Sequence, residues 1–442
     1  MKQSYNLKGE RQFFESLPEL KKVHGEERLS IAIIGSGIIG LSSAIWMQNA
    51  GHNVTIIDSN IPEAGRSYER ASSYGNACTM AYGAVLPIAM PGVLRQVPGM
   101  LIDREGPLSI FWRDLPTLMP WLISFLKSST PKEVDRIVGV LGILMRYAEA
   151  GNSFLIDSAG AQDLLVRNSC LYLYRNERQF SLAEPDIKLR QREGVNMQVL
   201  SAEAIREREP NLAPFYHKGL LFSDAYHVDN PHKLALRLFE SFKKSGGSFI
   251  RSDVDRISST NAGMELAFSN NKKLFDRAII AAGSWSKSLA RMVGDNIRLD
   301  TERGYHVFFP SSERLLSAPT CYPDTGFYLT PLSNGIRAAG TVELGGLDRP
   351  TRTVRTDVIS RRAKRLLPKL GEPDSTWLGF RPSMPDSLPV IGLSPTDSRV
   401  AYAFGHGHIG LTLSGITGRL VCDLINGNKL PFDISDLRPD RY

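Results

Sequence analysis

The chain has 442 residues, of which 42% are hydrophobic and 22% charged, and its mean hydropathy is -0.17. These values exclude the collagen-like, disordered and polytopic membrane classes, and domains of about 150 residues would give two or three domains. The net charge of +7 comes without a long basic block, so we expect no nucleic-acid partner, whereas an anionic cofactor, a carboxylate substrate or an anionic membrane surface would be favoured.

The first 29 residues form an N-terminal extension without the apolar run of a secretory signal. Phe13, Leu17 and Leu20 fall at i, i+4 and i+7, which predicts a short amphipathic helix. This helix would dock on the rest of the protein or lie on a membrane surface, and the first alternative is favoured.

The four cysteines are far apart and show no spacing typical of a metal site. We therefore expect no bound metal and predict that Cys78, Cys170, Cys321 and Cys422 are reduced, buried thiols.

A strand, a glycine turn and a helix follow the extension. Ser30 to Ile34 is a β-branched run typical of a buried parallel strand, and Gly35, Gly37 and Gly40 complete the pattern G-S-G-I-I-G. Helical spacing continues to Gly51, which is placed to end the helix. A second strand, NVTII, ends at Asp58, which lies 58 − 35 = 23 residues after the first glycine. This arrangement predicts a βαβ dinucleotide fold.

Each part of this motif has a physical role in binding a dinucleotide. Gly35 makes the tight turn, Gly37 lets backbone N–H groups approach a pyrophosphate, and Gly40 allows the helix to pack closely on the strand. Asp58 would accept hydrogen bonds from both ribose hydroxyls and disfavour a 2′-phosphate, which points to FAD or NAD over NADP. The competing interpretation is a turn that merely connects packed elements.

Several later segments fit a flavin. The sequence ASSYGNACTMAYG, from residue 71 to 83, is rich in small polar residues and suits close approach to a flavin. A further buried strand, DRAIIAAGSW, runs from residue 276 to 285, and it is followed by WLGFRPSMPDSLPVIG (377–392) and AYAFGHGHIGLT (401–412).

Together these motifs resemble the D-amino-acid dehydrogenase branch of the FAD-dependent amine oxidoreductases, the superfamily that includes D-amino-acid oxidase and glycine oxidase. The resemblance covers residues 30 to 428, and within the branch GHGHIGLT looks most like members that act on D-hydroxyproline or similar cyclic D-imino acids. It implies an α/β fold in which a Rossmann-type FAD-binding domain accompanies an α+β substrate domain with an antiparallel sheet. The implied FAD domain is discontinuous (30–79, 195–295 and 386–442), and the substrate domain comprises 80–194 and 296–385.

Matching motif to motif, the resemblance implies that residues of six segments contact the FAD. They are Gly35, Gly37, Ile38, Ile39, Gly40, Asp58, Ser72, Ser73, Asn76, Val254, Ala282, Gly283, Gly405, Gly407, Ile409, Gly410 and Thr412. Cys78 occupies a position where relatives commonly carry glycine. This departure from the family pattern bears on the local backbone conformation and not on the choice of cofactor.

The same resemblance places three side chains at the substrate. Arg381, in G-F-R-P, would grip a substrate carboxylate through two parallel hydrogen bonds, against the alternative that it pairs with Asp386. Tyr328 would add one directional donor, the alternative being an ordinary core aromatic. His408 would contact the substrate or the flavin edge, although a structural role is an alternative for it and for His406 and His306.

The resemblance implies oxidative deamination of a D-amino acid or cyclic D-imino acid by hydride transfer from Cα to the flavin. The electrons would pass to a quinone or another respiratory carrier, with the protein in the cytoplasm or at the cytoplasmic face of the inner membrane. Two alternatives remain: an oxygen-using amine oxidase of the glycine or sarcosine type, and a non-catalytic flavoprotein subunit of a larger dehydrogenase. An NAD-dependent enzyme is less favoured because the downstream flavin motifs would be unexplained.

Overall fold

A computed structural model describes residues 5–7, 13–92, 99, 106, 108–269 and 271–442. Over this part of the chain the protein combines helices with a mainly parallel sheet and a larger, mainly antiparallel sheet, so it has the predicted mixed α/β architecture.

The parallel sheet contains the predicted βαβ unit, in which both strands have their predicted bounds and the helix begins inside the glycine motif, earlier than the sequence pattern indicates. The first strand is Ser30–Ile34, the helix is Ile38–Ala50, and the second strand is Asn53–Ile57. Gly51 ends the helix in the left-handed conformation with φ of 107°, as its position in the sequence predicts. Across the sheet the six strands are Ser248–Ile250, Asn53–Ile57, Ser30–Ile34, Arg277–Ile280, Val400–Phe404 and Val390–Leu393, and only the last pair is antiparallel.

A buried helix, Gly410–Ile425, packs between two others. On one side it meets Ile38–Ala50, and on the other it crosses the long helix Pro131–Ala159 so closely that the backbones touch at Gly415 and Gly151. A Cβ at Gly415 would lie 2.2 Å from the Gly151 carbonyl carbon, so no other residue fits there. The amphipathic helix Pro231–Lys244 packs beside this layer.

The larger sheet provides the second wall of the molecule. Nine of its ten strands are adjacent in the order Tyr5–Leu7, Met197–Ser201, Lys218–Phe222, Cys170–Tyr174, Thr320–Tyr322, Phe327–Leu332, Gly335–Leu344, Asp300–Pro310 and Ser375–Ser383, with Leu108–Ile110 paired to Gly335–Leu344. Opposite Gly304 the register shifts between Arg303 and Tyr305, which marks a β-bulge in the partner strand.

The remaining elements complete the fold. One three-stranded sheet consists of Thr79–Met80, Tyr226–Val228 and Leu165–Val166. A second three-stranded sheet consists of Arg256–Thr260, Gly263–Phe268 and Asn271–Phe275. The other α-helices in the described ranges are Leu115–Ser128, Glu177–Leu182, Glu184–Arg192, Ala202–Arg208, Ser286–Val293 and Thr353–Leu366.

The sequence-based prediction of a helix through Phe13, Leu17 and Leu20 is wrong. Residues 13–24 have no regular secondary structure, and a single 3₁₀ turn follows at Gly25–Glu27. Phe13 is buried in the main core, and the segment bonds to the body of the protein from Glu15 N–H to the Arg146 carbonyl (2.9 Å). The apolar spacing therefore reflects docking of an irregular segment, since tertiary contacts override local periodicity.

The strands Met197–Ser201 and Lys218–Phe222 lie within the segment that the sequence assigns to the FAD domain, yet they pair in the larger sheet. These pairings favour moving residues 195–222 to the substrate part, and the domain boundaries as a whole stay a prediction.

All four cysteines are free and buried, as predicted. In the part of the chain that the structure describes, no helix is both long and apolar enough to cross a membrane.

Candidate active site

A cavity of about 720 Å³ lies where the carboxyl ends of the parallel strands meet the larger sheet. The glycine turn at Gly35 and the segment from Gly405 to Gly410 both line it, although 370 positions separate Gly35 from Gly405 in the sequence. The two segments that the resemblance assigns to the FAD therefore line the same cavity.

The helix Ile38–Ala50 begins at the wall of this cavity. Gly35 has φ of 111°, and a Cβ there would lie 2.5 Å from the Ala281 carbonyl oxygen, so the turn requires glycine. Among the described residues, no atom lies within 4 Å of where a Cβ at Gly37 would be, and no side chain caps the helix. The first backbone N–H groups of the helix are thus available to an anion such as a pyrophosphate.

Gly40 and Thr412 do not line the cavity, unlike the other predicted cofactor contacts. A Cβ at Gly40 would lie 2.0 Å from the Gly35 carbonyl oxygen, so this residue lets the helix pack on the turn. The Thr412 hydroxyl accepts a hydrogen bond from Ala81 N–H at 2.9 Å and so ties the 71–83 loop to the buried helix. Both residues therefore support the elements that line the cavity without lining it themselves.

Asp58 lies at the end of the second parallel strand and lines the cavity. Its Oδ2 accepts hydrogen bonds from the Ser36 N–H at 2.7 Å and the Ser36 hydroxyl at 3.0 Å, and its Oδ1 accepts from the Asn60 N–H at 2.8 Å. A carboxylate has about four acceptor sites, so one site on Oδ1 stays available for a ribose hydroxyl.

The serine-rich loop crosses the cavity next to the larger sheet. Ser72 donates to the Phe380 carbonyl at 2.5 Å, and Asn76 Oδ1 accepts from the Cys78 N–H at 2.8 Å. Cys78 has φ of 61°, the left-handed conformation that glycine adopts most easily. The departure from glycine at this position is thus accommodated by the Asn76 side chain, and burial raises the pKa of the Cys78 thiol.

The residues present fit an FAD. The cavity provides an uncapped helix N-terminus, a carboxylate with spare acceptor capacity and a glycine-lined opposite wall. Within the described chain, Asn60 Oδ1, Thr341 Oγ1 and His406 Nδ1 belong to lining residues and are buried without a hydrogen-bond partner, as expected of groups that meet a bound ligand.

Arg381 reaches the cavity from the strand Ser375–Ser383. Its guanidinium lies over Gly304, where a Cβ would be 2.2 Å from Cζ. In the described part of the chain it makes one hydrogen bond, to the Thr341 carbonyl at 3.3 Å, so most of its donors remain available. The alternative pairing with Asp386 is wrong, because Arg441 holds that carboxylate through two hydrogen bonds of 2.8 and 3.1 Å.

Glu302, the cross-strand neighbour of Arg381, is buried, whereas Arg381 itself is half-buried. Burial alone would raise the pKa of its carboxyl, but the hydrogen bond from His408 and the charges of His408 and Arg381 outweigh burial and lower it. Burial lowers the pKa of Arg381, and the charge of Glu302 acts in the opposite direction. Glu302 therefore contributes a negative charge beside the guanidinium.

The three histidines that the sequence singles out lie at or beside the cavity with different partners. His408 is 40% exposed and its Nε2 lies 2.9 Å from Glu302 Oε2. His406 is buried, bonds to Thr417 Oγ1 at 2.9 Å, and burial lowers its pKa to about 3. The pKa of His306, which contacts the Gly75 carbonyl at 2.8 Å, is likewise lowered to about 3 by burial and by Arg337.

Tyr328 lines the cavity, and its hydroxyl lies 2.6 Å from that of Tyr172. Burial and neighbouring groups raise the pKa of both phenols, so both are neutral and can donate hydrogen bonds. The sequence analysis missed Tyr172, Thr341, Gly304 and Glu302. Only Gly304 carried a usable signal, because an isolated glycine in a strand indicates close approach of another group.

Comparison with known proteins agrees with this geometry. A family described as FAD dependent oxidoreductase matches residues 30–424. A D-amino-acid oxidase of Bradyrhizobium diazoefficiens is 36% identical over 421 residues, which cover 93% of this chain and 98% of the relative. A D-amino acid dehydrogenase of the same organism is 29% identical over 94% of this chain and 99% of its own length.

Among solved structures, glycine oxidase from Geobacillus kaustophilus superposes with a TM-score of 0.72 at 21% identity, covering 94% of this chain and 99% of its own. At that identity the likeness shows a shared fold.

Proposed function

The chain belongs to the FAD-dependent oxidoreductase family that matches residues 30–424, and on this premise we propose that it is a D-amino-acid dehydrogenase that binds its substrate through Arg381. It is an FAD-dependent amino acid oxidoreductase. What we propose beyond this is the configuration of the substrate, the identity of the substrate and the electron acceptor.

One observation supports this assignment most strongly. Arg381, which is half-buried and leaves most of its guanidinium donors unused within the described chain, lines the same cavity as the uncapped N-terminus of the helix Ile38–Ala50. A helix N-terminus attracts the pyrophosphate of a dinucleotide, and a guanidinium binds a carboxylate through two parallel hydrogen bonds. The cavity can therefore hold a dinucleotide and a small carboxylic acid side by side.

The predicted contacts divide the cofactor site by chemistry. Backbone groups at Gly37, Ile38 and Ile39 would hold the pyrophosphate, and Asp58 would hold a ribose hydroxyl. The remaining predicted contacts would surround the adenine, the ribityl chain and the ring system of the FAD: Ser72, Ser73, Asn76, Val254, Ala282, Gly283, Gly405, Gly407, Ile409 and Gly410.

The side chains of the substrate site orient the reactant. Bound FAD supplies the oxidant that accepts a hydride from Cα of the amino acid. Arg381 fixes the carboxylate, and the neutral phenol of Tyr328 donates one further hydrogen bond. Apolar lining residues such as Ala339 and Val342 exclude water from the reacting carbon.

The product depends on the substrate. An acyclic amino acid gives an imine that water hydrolyses to a 2-oxo acid and ammonia, whereas a cyclic imino acid gives a pyrroline that leaves intact. The sequence GHGHIGLT favours a cyclic D-imino acid such as D-hydroxyproline. His408 would then contact the ring from the mouth of the cavity, where it is 40% exposed.

We assign the electron acceptor as a quinone or a respiratory carrier. The competing assignment is an oxygen-using oxidase, and it is favoured by the name of the 36% identical relative. The rate of peroxide formation compared with the rate of dye reduction on one substrate separates the two. A dehydrogenase reduces the dye at least tenfold faster than it forms peroxide, and equal rates would establish the oxidase.

A quinone acceptor resides in a membrane, so the proposal extends to peripheral membrane association. The net charge of +7 supports binding to anionic lipid. Flotation of the holoenzyme with vesicles containing phosphatidylglycerol tests this point. Binding that weakens as salt is added is expected, and recovery of all protein below the vesicles at low salt would refute it.

The central test is anaerobic bleaching of the flavin absorbance by a panel of D-amino acids, their L-enantiomers, and hydroxyproline of both Cα configurations. Bleaching by D-substrates alone is expected. Equal bleaching by L-substrates would refute the proposed configuration, and a protein that releases no flavin on denaturation would refute the proposal altogether.

A further inference from the structure

Thr341 has the most unusual backbone of any residue that lines the cavity. Its φ is 64°, in the left-handed region that β-branched residues almost never enter. It lies in the strand Gly335–Leu344 where the register with the neighbouring strand shifts opposite Gly304. A bulge of this kind changes the direction of a side chain next to a site.

The side chain of Thr341 is buried and unpaired. The residue is 4% exposed, it lines the cavity, and its Oγ1 has no hydrogen-bond partner in the described chain. A buried hydroxyl without a partner is costly, so its retention indicates a partner that arrives with a ligand.

The backbone of Thr341 also holds Arg381. Its carbonyl accepts the hydrogen bond from Arg381 Nη1 at 3.3 Å. The same strained residue therefore bonds the guanidinium through its carbonyl, lines the cavity and carries a buried hydroxyl that has no partner within the described chain. Strain of this kind persists only where the surrounding structure enforces it, and such positions cluster at ligand sites.

We propose that Thr341 is a substrate-positioning residue whose hydroxyl binds the head group of the amino acid that Arg381 holds. This inference rests on the proposed function. The hydroxyl can donate to the carboxylate or accept from the amine, and both contacts lie within the same head group. Thr341 and Arg381 together then define the orientation of Cα.

The test compares three variants of the purified holoenzyme. Thr341→Val keeps the branched shape and removes the hydroxyl, Thr341→Ser keeps the hydroxyl, and Thr341→Gly removes both the hydroxyl and the strain. We measure kcat and KM with D-alanine, or with the best D-substrate of the panel, together with flavin content, thermal midpoint and the Kd of pyruvate from the flavin spectrum.

Thr341→Val is expected to lose roughly 10- to 100-fold in kcat/KM, with flavin content and thermal midpoint unchanged. Thr341→Ser should stay within about threefold of the wild type. Weaker pyruvate binding in Thr341→Val would place the contact at the carboxylate, and unchanged pyruvate binding with a loss for the amino acid would place it at the amine.

Strain relief needs its own control. Ser169 also has positive φ, 70°, and does not line the cavity. Ser169→Gly should leave kcat/KM unchanged, whereas Thr341→Gly should lose as much as Thr341→Val while its thermal midpoint stays equal or rises.

Thr341→Val kinetics within twofold of the wild type, or a Thr341→Ser variant as impaired as Thr341→Val, would overturn the inference. Failure of the wild type to oxidise any amino acid in the panel would instead overturn the proposed function, so the two failures are distinguishable.

Discussion

The guanidinium of Arg381 occupies the space in which any other residue at position 304 would place its Cβ. That Cβ would lie 2.2 Å from Cζ, so the bare strand at Gly304 is a condition for the position of Arg381. Gly304→Ala should therefore displace the guanidinium and lower kcat/KM by about 100-fold, since a small misplacement in a site has an effect of this size.

The matched control for Gly304→Ala is Gly371→Ala, where a Cβ would meet no atom of the described residues within 4 Å. Flavin content should be retained in both variants, and steady-state kinetics provide the comparison. An alanine at 304 that leaves KM and kcat unaltered would show that Arg381 has another way to reach the substrate.

Replacing Arg381 by lysine tests whether substrate binding depends on the planar guanidinium or only on its positive charge. A lysine keeps the positive charge beside Glu302 but cannot form two parallel hydrogen bonds to a carboxylate. Arg381→Lys should raise KM at least tenfold, which corresponds to about 1.4 kcal/mol, with the FAD spectrum retained. Wild-type KM in this variant would remove Arg381 from the substrate site.

The ionised Glu302 contributes stability that depends on pH. Its pKa is lowered in the folded protein, so this stabilisation is complete above the unfolded value of about 4.3 and is lost as pH falls through the lower folded value. His408→Asn should reduce the free energy of unfolding by about 1 kcal/mol at pH 7, because the shorter side chain removes the hydrogen bond from Nε2 to Glu302.

Denaturant titrations of the wild type and His408→Asn at pH 7, 5 and 3.5 measure this effect. The difference between the two free energies of unfolding should narrow below about pH 4.3, where the carboxyl of Glu302 takes up a proton in the unfolded chain first. A gap that is constant across the range would mean that the Glu302 carboxylate is not what His408 stabilises.

Asp58→Asn should weaken retention of FAD. The amide offers one acceptor oxygen in place of two, so it cannot serve Ser36, Asn60 and a ribose hydroxyl together. The Kd for FAD, from ultrafiltration of the reconstituted protein, should rise about tenfold, with kcat little changed at saturating FAD. An unaltered Kd would place the ribose elsewhere.

The helix crossing at Gly415 is expected to tolerate no side chain. Gly415→Ala pushes a Cβ to within 2.2 Å of the Gly151 backbone, and the variant should lose about 3 kcal/mol of stability or fail to fold. Gly139→Ala, in the same long helix as Gly151 but with open space around it, should be neutral or slightly stabilising. Thermal unfolding of the pair settles the point, and equal midpoints would contradict the close crossing.

The two strands of the βαβ unit and the end of its helix at Gly51 could be predicted from the sequence, whereas the start of the helix at Ile38 was not. Gly35, Gly51 and Asp58 lie within about 25 residues of each other along the chain, so their spacing is a local pattern that the sequence displays. The segment at Phe13 shows the limit of that reasoning. Its apolar spacing fits a helix, but long-range packing on the core decides its conformation.

The substrate side was only partly predictable for a related reason. Arg381 and Tyr328 came from family resemblance, whereas Glu302 and Thr341 join the site through the register of neighbouring strands. A single sequence does not state which residues face each other across a sheet. The left-handed conformation of Thr341 could not be predicted from the residue type, because threonine disfavours that conformation.

Because every cysteine of the chain is buried, the protein presents a surface without thiols. A single cysteine introduced at an exposed position could therefore carry a dye or spin label with little background reaction. With two such cysteines, one on the parallel sheet and one on the larger sheet, the distance between the labels would show in solution whether the two sheets move relative to each other when the flavin is reduced.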